Sequence, residues 1–463
     1  MVSGSRHRSR DPVGHGSGMR SRVRGSEPSE SSRTCGSHQR RPGSMLRIQS
    51  ILAATAWSAL AWLGSGCTAL DRNPVPPEHI RGSHPAGMRQ WRITREDEAA
   101  VETAEAQRRM SRLVDQMRAS GLDRGPTQVL AISGGGENGA YGAGLLCGWS
   151  ELGTRPEFNV VTGVSTGALT APFAFLGAEY DERLKTCYTT LRTDELVTER
   201  GLLEGLTGDA LSDPDGLRSM LAAQFDDEAY RRMGEEHLKG RRLFVGTTNL
   251  DRMEASYWCL SAIAAEDLPG GRELALDIIL ASASIPGVFP PVLIEVLGPD
   301  GETYDEMHVD GGVSAQVFTY PVALRLRETE LLGAEEAGVS TIWVIRNAPL
   351  TFRYEQVRRS LFAIAGRSIS GLIRSNGIGD LYRIWLTAIR DGFDFRLASI
   401  PFDFDVEPTE AFDPVHMTAL FERGREDIIA GRAWADYPPQ IDAVDEAALR
   451  DELNQQAVDP VRP

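Results

Sequence analysis

The sequence is poor in cysteine, with five in 463 residues. Cys35, Cys67, Cys147, Cys187 and Cys259 are too scattered to make a disulfide framework in a chain of this length. The last three are expected to be buried free thiols. No Cys-x-x-Cys pair and no Cys/His ligand spacing occurs, so no structural metal is expected. Positive charge is also short: 49 Lys and Arg face 65 Asp and Glu, for a net charge of -16 at pH 7. That balance argues against nucleic acid as a partner, because phosphate-binding faces are basic. Nor is there an apolar run long enough to cross a bilayer. The longest, Ile51–Leu63, falls short of the roughly 20 residues a span needs. No internal repeat is present. What remains is 41% hydrophobic and 25% charged, the composition of an ordinary globular enzyme with room for a full core in one large domain or two.

The charge is uneven. Residues 1–66 hold ten Arg against Asp11, Glu27 and Glu30, so they carry +7 and leave -23 on the rest. An acidic body of that size is repelled by anionic lipid surfaces unless something other than charge anchors it. Residues 1–44, rich in Ser, Gly and Arg, read as a disordered leader or as sequence ahead of the true start at Met45. Residues 45–67 read as a secretory signal: Arg47, then the uncharged stretch Ile48–Leu70 with its apolar centre, then Gly64-Ser65-Gly66-Cys67. Small residues before a cysteine resemble the bacterial lipoprotein cleavage box, which implies lipidation of Cys67 and an exported, envelope-anchored protein. Leu63 stands one place early and Gly64 replaces a branched aliphatic, so a cleaved soluble export signal stays an alternative, as does an uncleaved anchor or no export.

Beyond the signal, 68–94 reads as a tether and 95–126 as a helix, with Met110, Leu113, Val114 and Met117 on one face. Residues 127–325 read as a catalytic α/β domain, 326–430 as a C-terminal α/β extension packed on it, and 431–463 as an acidic tail. Short apolar runs at Val129–Ile132, Phe158–Val161, Leu243–Thr248, Val292–Val296, Met307–Val309 and Ser340–Ile345 are the expected strands. Helical stretches fall between them, which is the α/β pattern.

Three motifs carry the chemistry. Val129–Ile132 runs into Gly134-Gly135-Gly136-Glu137-Asn138-Gly139, a turn whose backbone N–H groups can meet an oxyanion at a helix start. The same letters fit a dinucleotide-binding Gly-x-Gly-x-x-Gly, but the next strand ends in Val161-Thr162-Gly163, without the acidic residue that would hold a ribose. No nucleotide and no cofactor is therefore expected. Gly163-Val164-Ser165-Thr166-Gly167 has the form of a nucleophile elbow, which exposes a serine hydroxyl on a tight strand-to-helix turn. Asp310-Gly311-Gly312 ends a strand with a free carboxylate, and a serine needs a base within hydrogen-bond reach.

In this order the three motifs resemble the patatin-like phospholipase family. Ala281-Ser282-Ala283-Ser284-Ile285-Pro286-Gly287-Val288-Phe289-Pro290-Pro291-Val292 looks like the segment that precedes the catalytic aspartate there. The resemblance covers about 127–325 closely and extends loosely to about 425. It implies a layered fold with a mostly parallel sheet between helices and a Ser165–Asp310 dyad. It also implies an oxyanion hole at Gly134, Gly135 and Gly136, with Gly139, Gly163, Gly167, Gly311 and Gly312 as motif positions. The implied substrate is a phospholipid or another acyl lipid. Asn138 stands where the family carries a basic residue. A triad through His416 is the chemical alternative, and His308 shares a strand face with Asp310. A rival of another class is a catalytically silent lipid-binding envelope protein.

Overall fold

The computed structural model describes residues 72–85, 92–94, 125–190, 215–319, 339–351 and most of 354–449, with a few isolated positions between them. The chain divides into Met1–Cys67 and Thr68–Pro463. The leader, the signal segment, Cys67, most of the helix expected at 95–126 and the end of the tail lie outside the described residues. Among the described residues no helix is long and apolar enough to cross a membrane.

Nine strands form one mixed sheet: β1 (Arg92–Thr94), β2 (Gln128–Ile132), β3 (Val160–Val164), β4 (Arg242–Asn249), β5 (Glu254–Cys259), β6 (Val292–Leu297), β7 (Thr303–Asp310), β8 (Thr341–Pro349) and β9 (Asp394–Ile400). The order is β1-β5-β4-β3-β2-β8-β9, with β7 bound to both β4 and β6. From β4 to β9 the neighbours run parallel, and the remaining pairings are antiparallel. The helices are α1 (Gly139–Glu151), α2 (Thr166–Leu176), α3 (Asp181–Thr189), α4 (Asp215–Gln224), α5 (Asp227–Leu238), α6 (Leu260–Glu266), α7 (Gly271–Ala283), α8 (Leu361–Asp391) and α9 (Pro414–Ile429).

Alternation along β2 sets the layers. Leu130 and Ile132 enter a core with residues of α1, α2 and α9, while Val129 and Ala131 enter a second core with α8. A strand covered on both faces must be apolar at every position, which explains the unbroken Val129–Ile132 run. On α8, Leu381, Ile384, Trp385 and Ala388 follow helical spacing and are buried against Ile342 and Val344 of β8. Cys147, Cys187 and Cys259 are buried free thiols.

Two boundaries read from the sequence need correction. Residues 326–430, expected to pack on the core as an extension, instead supply two strands of the sheet itself in their described part, since β8 pairs directly with β2 and β9 continues the sheet beyond it. A buried parallel strand such as β2 needs a partner on each edge. Nor is 68–94 a plain tether. Arg72 donates to Asp251 at 2.8 Å and to Asp305 at 2.8 Å, and β1 pairs with β5. The buried Arg92 bonds Glu306 of β7 and the Ser83 carbonyl, and its guanidinium lies 5.2 Å from the Trp258 ring centre. Pro, Gly and His residues in this stretch mask a segment held by specific ion pairs.

Helices α1 and α9 cross through glycines. A Cβ on Gly144 would come within 1.8 Å of the Phe421 carbonyl oxygen, and one on Gly424 within 2.1 Å of the Tyr141 oxygen. Backbone meets backbone there, so a methyl group has nowhere to go. Gly379, inside α8, has nothing within 4 Å of such a methyl. Gly424→Ala is therefore expected to destabilise the protein by about 1–3 kcal/mol or more. Gly379→Ala should stabilise it by about 0.5–1 kcal/mol through the unfolded chain. Thermal denaturation of the two variants should move in opposite directions.

Candidate active site

Strand β4 positions the site. β3 lies parallel along its first half and ends with Val164 opposite Gly246. β7 lies antiparallel along its second half and ends with Asp310 opposite Thr247. The other edge of β4 is taken by β5. The two strands thus meet head to head on one edge, and Ser165 and Asp310 come together across consecutive β4 residues.

Ser165 has φ 54° and ψ -125°, a conformation that is strained for a residue with a side chain. Its surroundings fix it there. The Ser165 N–H donates to Ser282 Oγ at 2.9 Å, and that hydroxyl donates to the Gly246 carbonyl at 2.6 Å. The Ser165 carbonyl accepts from the Ala168 N–H at 2.8 Å as α2 begins. The turn is tight enough that a Cβ on Gly163 would lie 2.3 Å from the Gly167 oxygen, and one on Gly167 would lie 2.3 Å from the Ile132 oxygen.

Asp310 is buried and hydrogen-bonded with Ser165. Its Oδ1 accepts from the Gly312 N–H at 2.7 Å. The Asp310 backbone is pinned on both sides, its N–H donating to the Ser284 oxygen at 2.9 Å and its carbonyl accepting from Thr248 Oγ1 at 3.0 Å. Burial pushes the carboxyl up to about 6, against the opposing pull of the bonds from Ser165 and Gly312.

The glycine loop is clamped by Asn347 of β8. The Asn347 N–H donates to Ser133 Oγ at 2.9 Å, Nδ2 donates to the Ser133 oxygen at 3.0 Å, and Oδ1 accepts from the Gly142 N–H at 3.1 Å. The Gly134 N–H is already spent, donating to the Gln316 carbonyl at 3.1 Å. That corrects the expectation that it serves an oxyanion. Gly134 matters sterically, since a Cβ there would sit 3.1 Å from Ser165 Cβ. Gly135 and Gly136 are half-buried, and among the described residues their N–H groups have no acceptor. Gly139 is tight against Thr166, where a Cβ would lie 2.0 Å from Oγ1.

Neither histidine is bonded to Ser165 or Asp310. His416 Nδ1 is 2.7 Å from the Val406 oxygen, and Nε2 is 3.2 Å from Asn138 Oδ1. Asp413 caps α9, accepting from Val415 N–H at 2.8 Å. His308 is occupied by Thr247 Oγ1 at 3.0 Å and Glu306 Oε2 at 3.3 Å. Sequence reasoning missed Ser282, Asn347 and Gln316. A Cβ on Gly134 would lie 2.9 Å from Gln316 Oε1, and one on Gly312 would lie 2.2 Å from Gln316 Nε2. The Gln316 side chain therefore spans the glycine loop and the aspartate turn. Among the described residues no cluster of three His, Cys, Asp or Glu is placed to hold a metal ion.

The family model for patatin-like phospholipases matches residues 130–323, which contain all three motifs in this arrangement. This segment is a patatin-like phospholipase domain. No curated protein sequence matches the chain. Similar solved structures include VipD from Legionella pneumophila, at 12% identity over 67% of this chain and 68% of that one, with a TM-score of 0.34. The type III effector ExoU shares 12% identity over 72% of this chain and 62% of its own, with a TM-score of 0.24. Human GIVD cytosolic phospholipase A2 shares 12% identity over 80% of this chain and 65% of its own, with a TM-score of 0.28. At such scores the family assignment of the patatin-like domain rests on the sequence match and not on these likenesses.

The raised Asp310 pKa gives opposite signs for stability and for basicity. Its folded value, about 6, lies above the ordinary 3.8. The stabilising contribution of the protonated form is full below about 3.8 and is lost as pH rises through about 6. Asp310→Asn removes the buried charge and is expected to stabilise the protein at pH 8 by about 3 kcal/mol at most, with little change at pH 4. Melting temperatures of both forms across that range check this.

Proposed function

We propose that the protein is a serine acyl hydrolase that cleaves carboxylic esters of lipids through Ser165 and Asp310. The observation that supports this most directly is a strained, fixed serine bonded to a buried carboxylate whose pKa lies near neutrality. In the first step Ser165 Oγ attacks the acyl carbon as its proton passes to Asp310. The oxyanion so formed accepts from the Gly135 and Gly136 N–H groups, and each such donor is worth about 2.7–4 kcal/mol of barrier. The intermediate collapses, the C–O bond to the lipid alcohol breaks, and the alcohol leaves with the proton from Asp310. Water then attacks the acyl-serine, giving its proton to Asp310. The fatty acid departs as the proton returns to Ser165 Oγ.

A base with a pKa near 6 is ionised at neutral pH yet basic enough to take a hydroxyl proton in the transition state. Activity is expected to fall as pH drops through about 6, not through the ordinary 3.8. A kcat/KM profile flat down to pH 4.5 would remove Asp310 as the base. On a p-nitrophenyl ester and on a phospholipid, Ser165→Ala and Asp310→Asn should each lose roughly a thousandfold or more in kcat. His416→Ala should retain most of the rate. Folded wild type that turns over neither substrate and takes no fluorophosphonate label would leave the silent lipid-binding reading in its place.

The acidic body and the cysteine after Gly64-Ser65-Gly66 support a second part of the proposal, that Cys67 carries a lipid anchor in the cell envelope. Metabolic labelling with palmitate should mark the wild type and not Cys67→Ala. Label on both would sink the anchor and leave the chemistry untouched.

A further inference from the structure

Away from the dyad, three indoles meet that the proposed reaction does not use. They belong to Trp149 near the end of α1, Trp343 on β8 and Trp434 after α9. The ring centres lie 4.8 Å apart for Trp149 and Trp343, 5.0 Å for Trp149 and Trp434, and 4.8 Å for Trp343 and Trp434. With Pro126, Pro156 and Leu152 they line an open groove of about 610 Å³. Trp149 is buried, but Trp343 and Trp434 are half-buried and Leu152 is 44% exposed. Gln128, the first residue of β2, and Trp343, the third of β8, both line it. The groove therefore sits where these strands begin, whereas the glycine loop follows the end of β2.

Its walls are held in place. Trp343 Nε1 donates to Gln128 Oε1 at 2.7 Å, and the Gln128 N–H donates to Asn159 Oδ1 at 2.7 Å. Ala435, next to Trp434, exchanges two backbone bonds of 2.8 Å with Leu397 of β9. Among the described residues the Trp434 indole N–H has no acceptor. Flat aromatic and proline faces beside a free indole donor suit a polyproline II segment. Proline rings lie on such faces, and the carbonyls of that helix have no internal partner, so they can accept from an indole. Glu157 is the one charged residue lining the groove among the described residues. Its side chain is 65% exposed, and Arg241, 3.4 Å away, is shared with Glu236 at 2.8 Å. A proline segment that carries a cation fits this charge best.

The chain contains one, at Pro460-Val461-Arg462-Pro463. Polyproline II has three residues per turn, so prolines three apart share a face and Arg462 projects from another. The last described residue before this segment, Leu449, packs against the second core, which includes Val129, the neighbour of Gln128. The eleven residues from Arg450 to Pro460 can span up to about 35 Å, several times the spacing between strands. We propose that the tryptophan groove is a polyproline II docking site and that its occupant is Pro460–Pro463 of the same chain, with Arg462 set against Glu157. The site is separate from the dyad and does not depend on the acyl-hydrolase reading.

The test uses the full chain and a fluorescein-labelled peptide of residues 455–463. In wild type the tethered segment competes at an effective concentration in the millimolar range. The peptide should therefore bind the Pro460→Ala/Pro463→Ala chain roughly tenfold or more tightly than it binds wild type. Adding Trp434→Ala to that chain should weaken the peptide roughly tenfold. Adding Glu157→Lys should weaken it about threefold, and a peptide carrying Arg462→Glu should recover that loss. Glu157, being exposed, is the variant that decides if Trp434→Ala fails to fold. Equal affinity for wild type and the Pro460→Ala/Pro463→Ala chain overturns the proposal, as does binding that ignores both groove substitutions or no binding at all. Replacing Val461 with benzoylphenylalanine shows which chain supplies the segment. In a mixture of light and isotopically heavy chains, crosslinks to Trp434 or Leu152 within one chain support the proposal. Crosslinks between light and heavy chains overturn it in favour of a second copy.

Discussion

One shared strand edge is the constraint on which the site depends. β3 and β7 approach each other along the same side of β4 and stop at neighbouring rungs, Gly246 and Thr247. Because the strands run in opposite senses, both C-terminal ends face the junction. The residues that follow a parallel strand are free to carry function, and here two such ends are brought within one hydrogen bond. The close approach of backbones at this point leaves no space for side chains. A Cβ on Gly311 would lie 2.3 Å from the Gly246 oxygen, which is why the aspartate is followed by glycine.

The rest of the fold keeps β7 in register at that junction. Arg92, brought in by the N-terminal segment, bonds Glu306, and Glu306 bonds His308 at 3.3 Å. His308 Nδ1 lies 3.0 Å from Thr247 Oγ1, which in turn accepts from Trp258 Nε1 at 2.8 Å. Burial pushes Glu306 up, but His308 and Arg92 overcome it and hold the carboxyl at about 2. An ionised carboxylate, two bonded rings and a guanidinium thus tie β1, β5, β4 and β7 together two residues before Asp310. A slip of one residue in β7 would turn Asp310 to the opposite face and break every bond in that chain.

Much of this was legible in the sequence because it is local. Strand, glycine turn and helix follow one another in a single reading frame around Ser165, and the apolar runs of β2, β3 and β4 are short and unbroken. What escaped was set by distant partners. Asn347 lies on a strand, β8, whose place beside β2 is set by the register Thr341↔Gln128 to Ile345↔Ile132. Gln316 looks like any polar residue in a loop until its backbone oxygen is seen to take the Gly134 N–H. His416, a plausible third member of a triad by chain order, is drawn instead to Val406 and Asn138 by the packing of α9. No local pattern encodes these choices.

Under the proposed mechanism, no histidine is needed between serine and aspartate. In a triad an imidazole supplies a base near neutrality, and the carboxylate behind it orients the ring. Here the carboxylate touches the serine directly, and burial raises its proton affinity to about 6, close to that of an ordinary imidazole. In that mechanism desolvation does the work that a different functional group does in a triad. The consequence is a lasting tension in the fold, because an ionised Asp310 is unfavourable where the proposed reaction needs it. Its bonds from Ser165 and Gly312 relieve only part of that cost. The strained backbone of Ser165 adds to it. Both are tolerable because a nine-stranded sheet with two separate cores surrounds them, and the strain is confined to a turn that the Ser282 hydroxyl and two glycines lock in place.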